Sequence, residues 1–87
     1  MKIKPNFALR QIAGNWVIIP LGDETANLAG ILTVNGSGAF LWNQLEQDKT
    51  PEQLVDAMLA EYDVTRDVAH QDVLDFLEKL RDCGCLE

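Results

Sequence analysis

The chain has 87 residues, 47% of them hydrophobic, and a net charge of −7. That length holds one domain, 1–87, with a thin core, and that composition excludes disorder. No apolar run approaches the roughly 20 residues that cross a bilayer, so a membrane partner is not expected. The charge is lopsided: residues 1–45 carry +1 and residues 46–87 carry −8, a bias opposite to what phosphate recognition requires.

Residues 1–6 include Lys2 and Lys4 but no long apolar stretch and no cleavage signal, which points to the cytoplasm. A first strand is expected over 7–12 and a hairpin turn at Ala13-Gly14-Asn15. Residues 16–21, Trp-Val-Ile-Ile-Pro-Leu, carry the strongest strand signal, with Pro20 at an end or an edge because it has no N–H to donate. A polar loop is expected over 22–30 and a short third strand over 31–34.

The first helix is expected over 38–47, after an Asn35-Gly36 turn and with Ser37 as its cap. Thr50-Pro51-Glu52-Gln53 is a start signal for the second helix, which runs through Tyr62. Thr65 caps a third helix over 66–83, and Gly84 stops it. Strands and helices are segregated, which makes an α+β domain: three antiparallel N-terminal strands followed by a three-helix bundle.

Little in the chain supports catalysis. One histidine, His70, offers no triad, and the Gly36-x-Gly38 pair lacks a phosphate-binding fingerprint. The two cysteines, Cys83 and Cys85, are too few for a closed zinc site and are expected to be reduced and packed. The carboxylates Asp72, Asp75, Glu78 and Asp82 read as a solvated helix face, so neither a metal nor any other cofactor is expected. The third helix as a DNA reader would bring net −2 toward phosphates, so no nucleic-acid partner is expected.

On a wheel of 100° per residue, Ala69, Val73, Phe76, Leu77, Leu80 and Cys83 form one apolar arc, the core face. One flank holds His70, Leu74 and Arg81, the other Val68, Asp72 and Lys79. If the third strand lies at a sheet edge, its free N–H and C=O groups can accept an extended peptide as an added strand; the alternative is an edge that is covered or twisted away, and the sequence does not separate the two. A second function compatible with the chain is an adaptor that dimerises through that edge or through the sheet face around Trp16.

Three segments stand in order: Leu32-x-Val34-Asn35-x-Ser37-Gly38-Ala39-x-Leu41-Trp42, Thr50-x-x-Gln53-Leu54-Val55 with Leu59 and Tyr62-Asp63-Val64, and Asp72-Val73-x-x-Phe76-Leu77-x-x-Leu80 with Gly84-x-Leu86-Glu87. Together they resemble the PqqD-like family, the small precursor-recognition domains of peptide-modifying pathways. The resemblance covers nearly the whole chain and implies a winged-helix-like, non-catalytic peptide chaperone. Such a module binds the leader of a ribosomally made precursor and presents it to an enzyme, often a radical S-adenosylmethionine enzyme; in the founding pathway the product is pyrroloquinoline quinone. By position, the resemblance implies strand contacts from Ile31, Leu32, Thr33 and Val34. It implies helix contacts from His70, Val73, Leu74, Leu77 and Arg81, with Arg81 pairing an acidic leader residue. Cys85 departs from the apolar residue usual after the glycine, but as a small hydrophobe it keeps the packing.

Overall fold

A computed structural model describes residues 1–21 and 32–87. The loop expected over 22–30, and Ile31 of the expected strand contacts, lie outside the described residues. Three strands come first, β1 (Phe7–Ile12), β2 (Asn15–Pro20) and β3 (Leu32–Val34), then three helices, α1 (Gly36–Gln44), α2 (Pro51–Glu61) and α3 (Arg66–Asp82). The sheet is antiparallel in the order β1-β2-β3. This is the expected α+β arrangement, for which winged helix is a loose description.

The hairpin turns on two residues, Ala13 (φ 53°) and Gly14 (φ 83°). Two successive positive φ values make a type I′ turn, whose twist matches that of the strands it joins. Such a turn closes on a hydrogen-bonded pair, here Ile12 with Asn15. At the other end of the ladder the Leu21 N–H donates to the Asn6 carbonyl (2.6 Å). Both ends therefore set the same alternation: the odd-numbered residues of β2 exchange hydrogen bonds with β1, and Trp16 and Ile18 aim theirs at β3.

The first helix begins earlier than its sequence suggests. Asn35, not Ser37, is the N-cap: its Oδ1 accepts from the Gly38 N–H (2.8 Å) and from the Ser37 hydroxyl (2.9 Å). Asn and Ser cap equally well, and using Asn35 lets the strand run into the helix with no turn between. Thr50 caps α2 with a full capping box, its hydroxyl accepting from the Gln53 N–H while the Gln53 side chain accepts from the Thr50 N–H. Thr65 accepts from the Val68 N–H at the start of α3.

The core lies between the sheet and the helices. Leu41, Leu45, Leu54, Val55, Met58, Ala69, Val73, Leu77 and Leu80 are all 1% exposed or less. Burial of one such leucine contributes about 2 kcal/mol of transfer free energy. Phe40 and Tyr62 form a T-shaped pair with ring centroids 5.5 Å apart, joining α1 to the end of α2. The expected core arc of α3 is buried as read, with Cys83 partly so.

The cysteines correct the sequence reading: Cys83 and Cys85, expected to be reduced, are joined as a disulfide. Gly84 adopts φ 75° and reverses the chain between them, which brings their Cα atoms to 5.6 Å. The tail then folds back: Cys85 is buried, Ile3 bridges Leu86, the Lys4 N–H donates to the Cys85 carbonyl (2.8 Å) and the Glu87 N–H to the Lys2 carbonyl (2.9 Å). At the same end the Met1 amino group donates to Asp48 Oδ1 (2.6 Å), and that bond together with the ammonium charge holds the Asp48 carboxyl below its ordinary range. Among the described residues no helix is long and apolar enough to cross a membrane.

Candidate peptide-binding groove

β3 is an edge strand among the described residues, paired with β2 alone. Its register sets Val34 opposite Trp16, Thr33 opposite Val17 and Leu32 opposite Ile18. Trp16 and Ile18 aim their main-chain groups at β3, so Val34 and Leu32 answer them. Thr33, lying between, turns its N–H and C=O outward to the open side. Its side chain is exposed, Leu32 is half-buried and Val34 is buried. Among the described residues no strand pairs with Thr33 on that side, while the apolar side chains of Leu32 and Val34 anchor the strand to the core.

The backbone continues directly into α1, and at this joint three elements meet. Gly38 is buried, and a Cβ placed there would lie 3.0 Å from Val34 Cβ and 3.2 Å from Phe76 Cε1. Only a residue without a side chain lets β3, α1 and α3 approach so closely. Beside the joint opens a hollow of about 190 Å³, lined by Asn35, Ser37 and Gly38 on one wall and by Asp72, Asp75, Phe76 and Lys79 of α3 on the other. Gln71 Nε2 donates to Asp75 Oδ1 (2.8 Å). Among the described residues Lys79 forms no ion pair, so its ammonium is available to a guest.

The expected contacts are distributed as follows. Leu32, Thr33 and Val34 form the edge strand. Val73 and Leu77 are 0% and 1% exposed, enclosed in the core beneath α3. His70, Leu74 and Arg81 are exposed on the flank of α3 opposite the hollow, Leu74 at 43%. The hollow is instead lined from the flank of Asp72 and Lys79, with Asp75 and Phe76 beside them. The wheel had separated the two flanks; which of them stands near β3 depends on the Gly38 contact, which no helical periodicity encodes.

No curated protein matches the chain in sequence. Among solved structures, TbiB1 in complex with the TbiA(beta) leader peptide is 32% identical, with the alignment covering 100% of this chain and 95% of that one at a TM-score of 0.75. A lasso peptide synthetase B1 complexed with the leader peptide is 19% identical, covering 99% and 95% at a TM-score of 0.73, and shares the fold. The sequence profile described as Coenzyme PQQ synthesis protein D (PqqD) matches residues 16–86. An antiparallel three-stranded sheet leading into three helices, matched over most of its length by that profile, places this chain in the PqqD family.

Proposed function

We propose that this chain is a non-catalytic recognition module for the leader segment of a ribosomally made precursor peptide. The leader docks as an additional strand on β3 and is held for a modifying enzyme. The observation that carries this reading is the outward N–H and C=O of Thr33 on an edge strand, in a chain 32% identical over its whole length to a protein solved with a leader peptide. An added strand would lie ~4.8 Å from β3 and run past the hollow where Phe76 and Lys79 stand. Main-chain bonds then supply affinity, and the hollow selects side chains. Lys79 suits an acidic leader residue through a charge-assisted hydrogen bond.

The modifying enzyme belongs to the radical S-adenosylmethionine class or to another peptide-modifying class. The module itself brings no cofactor to the reaction; its contribution is to raise the local concentration of the precursor at the enzyme. Titration with the TbiA(beta) leader, or with the leader of a precursor encoded beside this chain, tests the proposal. Amide shifts are expected at residues 32–35 and at Asp72, Phe76 and Lys79. Shifts absent from 32–35 at saturating peptide refute strand addition. Shifts that favour His70, Leu74 and Arg81 over Lys79 assign the guest to the other flank of α3.

A further inference from the structure

The sheet has a second open edge. By the same alternation, Phe7, Leu9 and Gln11 turn their N–H and C=O groups away from β2, and among the described residues no strand pairs with β1 on that side. One of these acceptors is covered by a movable group: the Arg10 guanidinium donates to the Leu9 carbonyl (2.9 Å), and Arg10 is exposed. Such a charge on an edge strand guards it against indiscriminate pairing and can swing aside.

A hollow of about 640 Å³ runs along this edge. Phe7, Leu9, Trp16 and, from α1, Trp42 give it apolar surface, and residues 2–5 also line it. In that segment the Lys4 N–H and the Lys2 carbonyl are bonded to residues 85–87 rather than to β1. Lys2, Lys4 and Arg10 all line the hollow, three of the seven cationic side chains in a chain of net charge −7, against two acidic ones, Glu46 and Glu87. A second copy pairing through β1 would set Arg10 and its lysine neighbours against their own equivalents, which like-charge repulsion opposes. The cationic rim calls for acidic side chains, and the open main-chain row calls for an extended segment.

We propose that the β1 edge is a second strand-accepting site, which takes an acidic extended segment of the modifying enzyme. The inference rests on the reading of this chain as a leader-binding module. β1 and β3 stand two strand spacings apart, ~10 Å, on opposite sides of β2. A leader on β3 therefore leaves β1 open, and the loaded module can be engaged from the other side.

The test uses a synthetic decapeptide alternating Glu with Val and Phe, and its counterpart with Lys for Glu. With β3 saturated by leader, the acidic peptide is expected to shift the amides of Phe7, Leu9 and Gln11 and the Trp16 indole, with residues 32–35 unmoved from their leader-bound positions. Lys4→Glu with Arg10→Glu should weaken it at least tenfold; Arg10→Gln alone, which keeps a polar exposed side chain, serves if the double variant does not fold. Equal affinity of the two peptides, unchanged affinity in the variant, or shifts confined to residues 32–35 would overturn the second site. Leader affinity measured in the same samples reports on the first site separately and should be the same in wild type and variant. The modifying enzyme encoded beside this chain should be retained by the wild type and lost by the variant; equal retention removes the enzyme as the source of the segment.

Discussion

Thr33→Pro separates binding from folding at the β3 edge. Proline removes one N–H and fixes φ near −65°, and edge strands tolerate both when the missing donor faces outward. The alternation set by the Ile12–Asn15 closure and by the Leu21–Asn6 bond makes Thr33 the outward residue, so the β2–β3 ladder keeps all its donors in the variant. The guest strand loses one hydrogen bond, about 1 kcal/mol net, and the partner carbonyl it would have satisfied is left in a half-buried interface, raising the total to about 1–3 kcal/mol. At 1.4 kcal/mol per tenfold, affinity for the leader should fall roughly five- to 150-fold. Calorimetric titration measures it, with thermal unfolding of the free variant as the check on folding. Thr33→Val, which retains the N–H, should bind within about twofold of wild type. Leu32→Pro, one residue away, removes a ladder donor to Ile18 and should lower stability instead. A Thr33→Pro variant with native stability and native affinity would refute the alternation and strand addition with it.

Four further outcomes follow from individual residues. Ala13 sits at a positive φ that favours Asn or Gly, so Ala13→Asn should stabilise by about 1 kcal/mol and raise Tm by roughly 4–8 °C; an unchanged melting curve argues against the I′ turn. Gly38→Ala gains about 1 kcal/mol of helix propensity but forces a methyl against Val34 Cβ, a position fixed by the backbone. Overpacking of that kind costs about 1–3 kcal/mol, so urea unfolding should show a net loss and leader binding should weaken alongside. Lys79→Glu should reduce leader affinity about fivefold, from a charged contact of ~1 kcal/mol, while Arg81→Glu leaves it unchanged; the reverse order moves the guest to the other flank. Asp48 should titrate below the ordinary aspartate range by NMR. Because its folded pKa is depressed, the bond to the Met1 amino group stabilises the fold above the unfolded carboxyl pKa and is lost as pH falls through the folded value.

Much of this architecture was written locally. Thr50 and Thr65 announced their helices because a side-chain oxygen three residues before a free N–H needs no tertiary partner. The arc from Ala69 to Leu80 was legible from spacing alone, and the burial of Val73 and Leu77 follows from it. The same arc shows that those two residues serve the core, although the family resemblance also named them as contacts. At the strand–helix joint two good capping residues lay two positions apart, and the choice of Asn35 depended on β3 running straight into α1. The cysteines paired because Gly84 turned the chain between them, a backbone conformation that spacing does not report. The near flank of α3 was hidden for a related reason: the close approach at Gly38 comes from an absent side chain, and a missing atom leaves no periodic signal.

Asn35 is the whole connection between β3 and α1, with its side chain on Gly38 and its carbonyl accepting from the Ala39 N–H (2.9 Å). There is no slack in that link to absorb a change in the strand. A guest that quiets fraying of β3 must also suppress opening of the first turn of α1, so amide exchange at Gly38 and Ala39 should slow on loading, although Ala39 is buried and lies outside the hollow. Occupancy of the sheet edge is thereby carried, as a change in local unfolding free energy, into the first turn of α1.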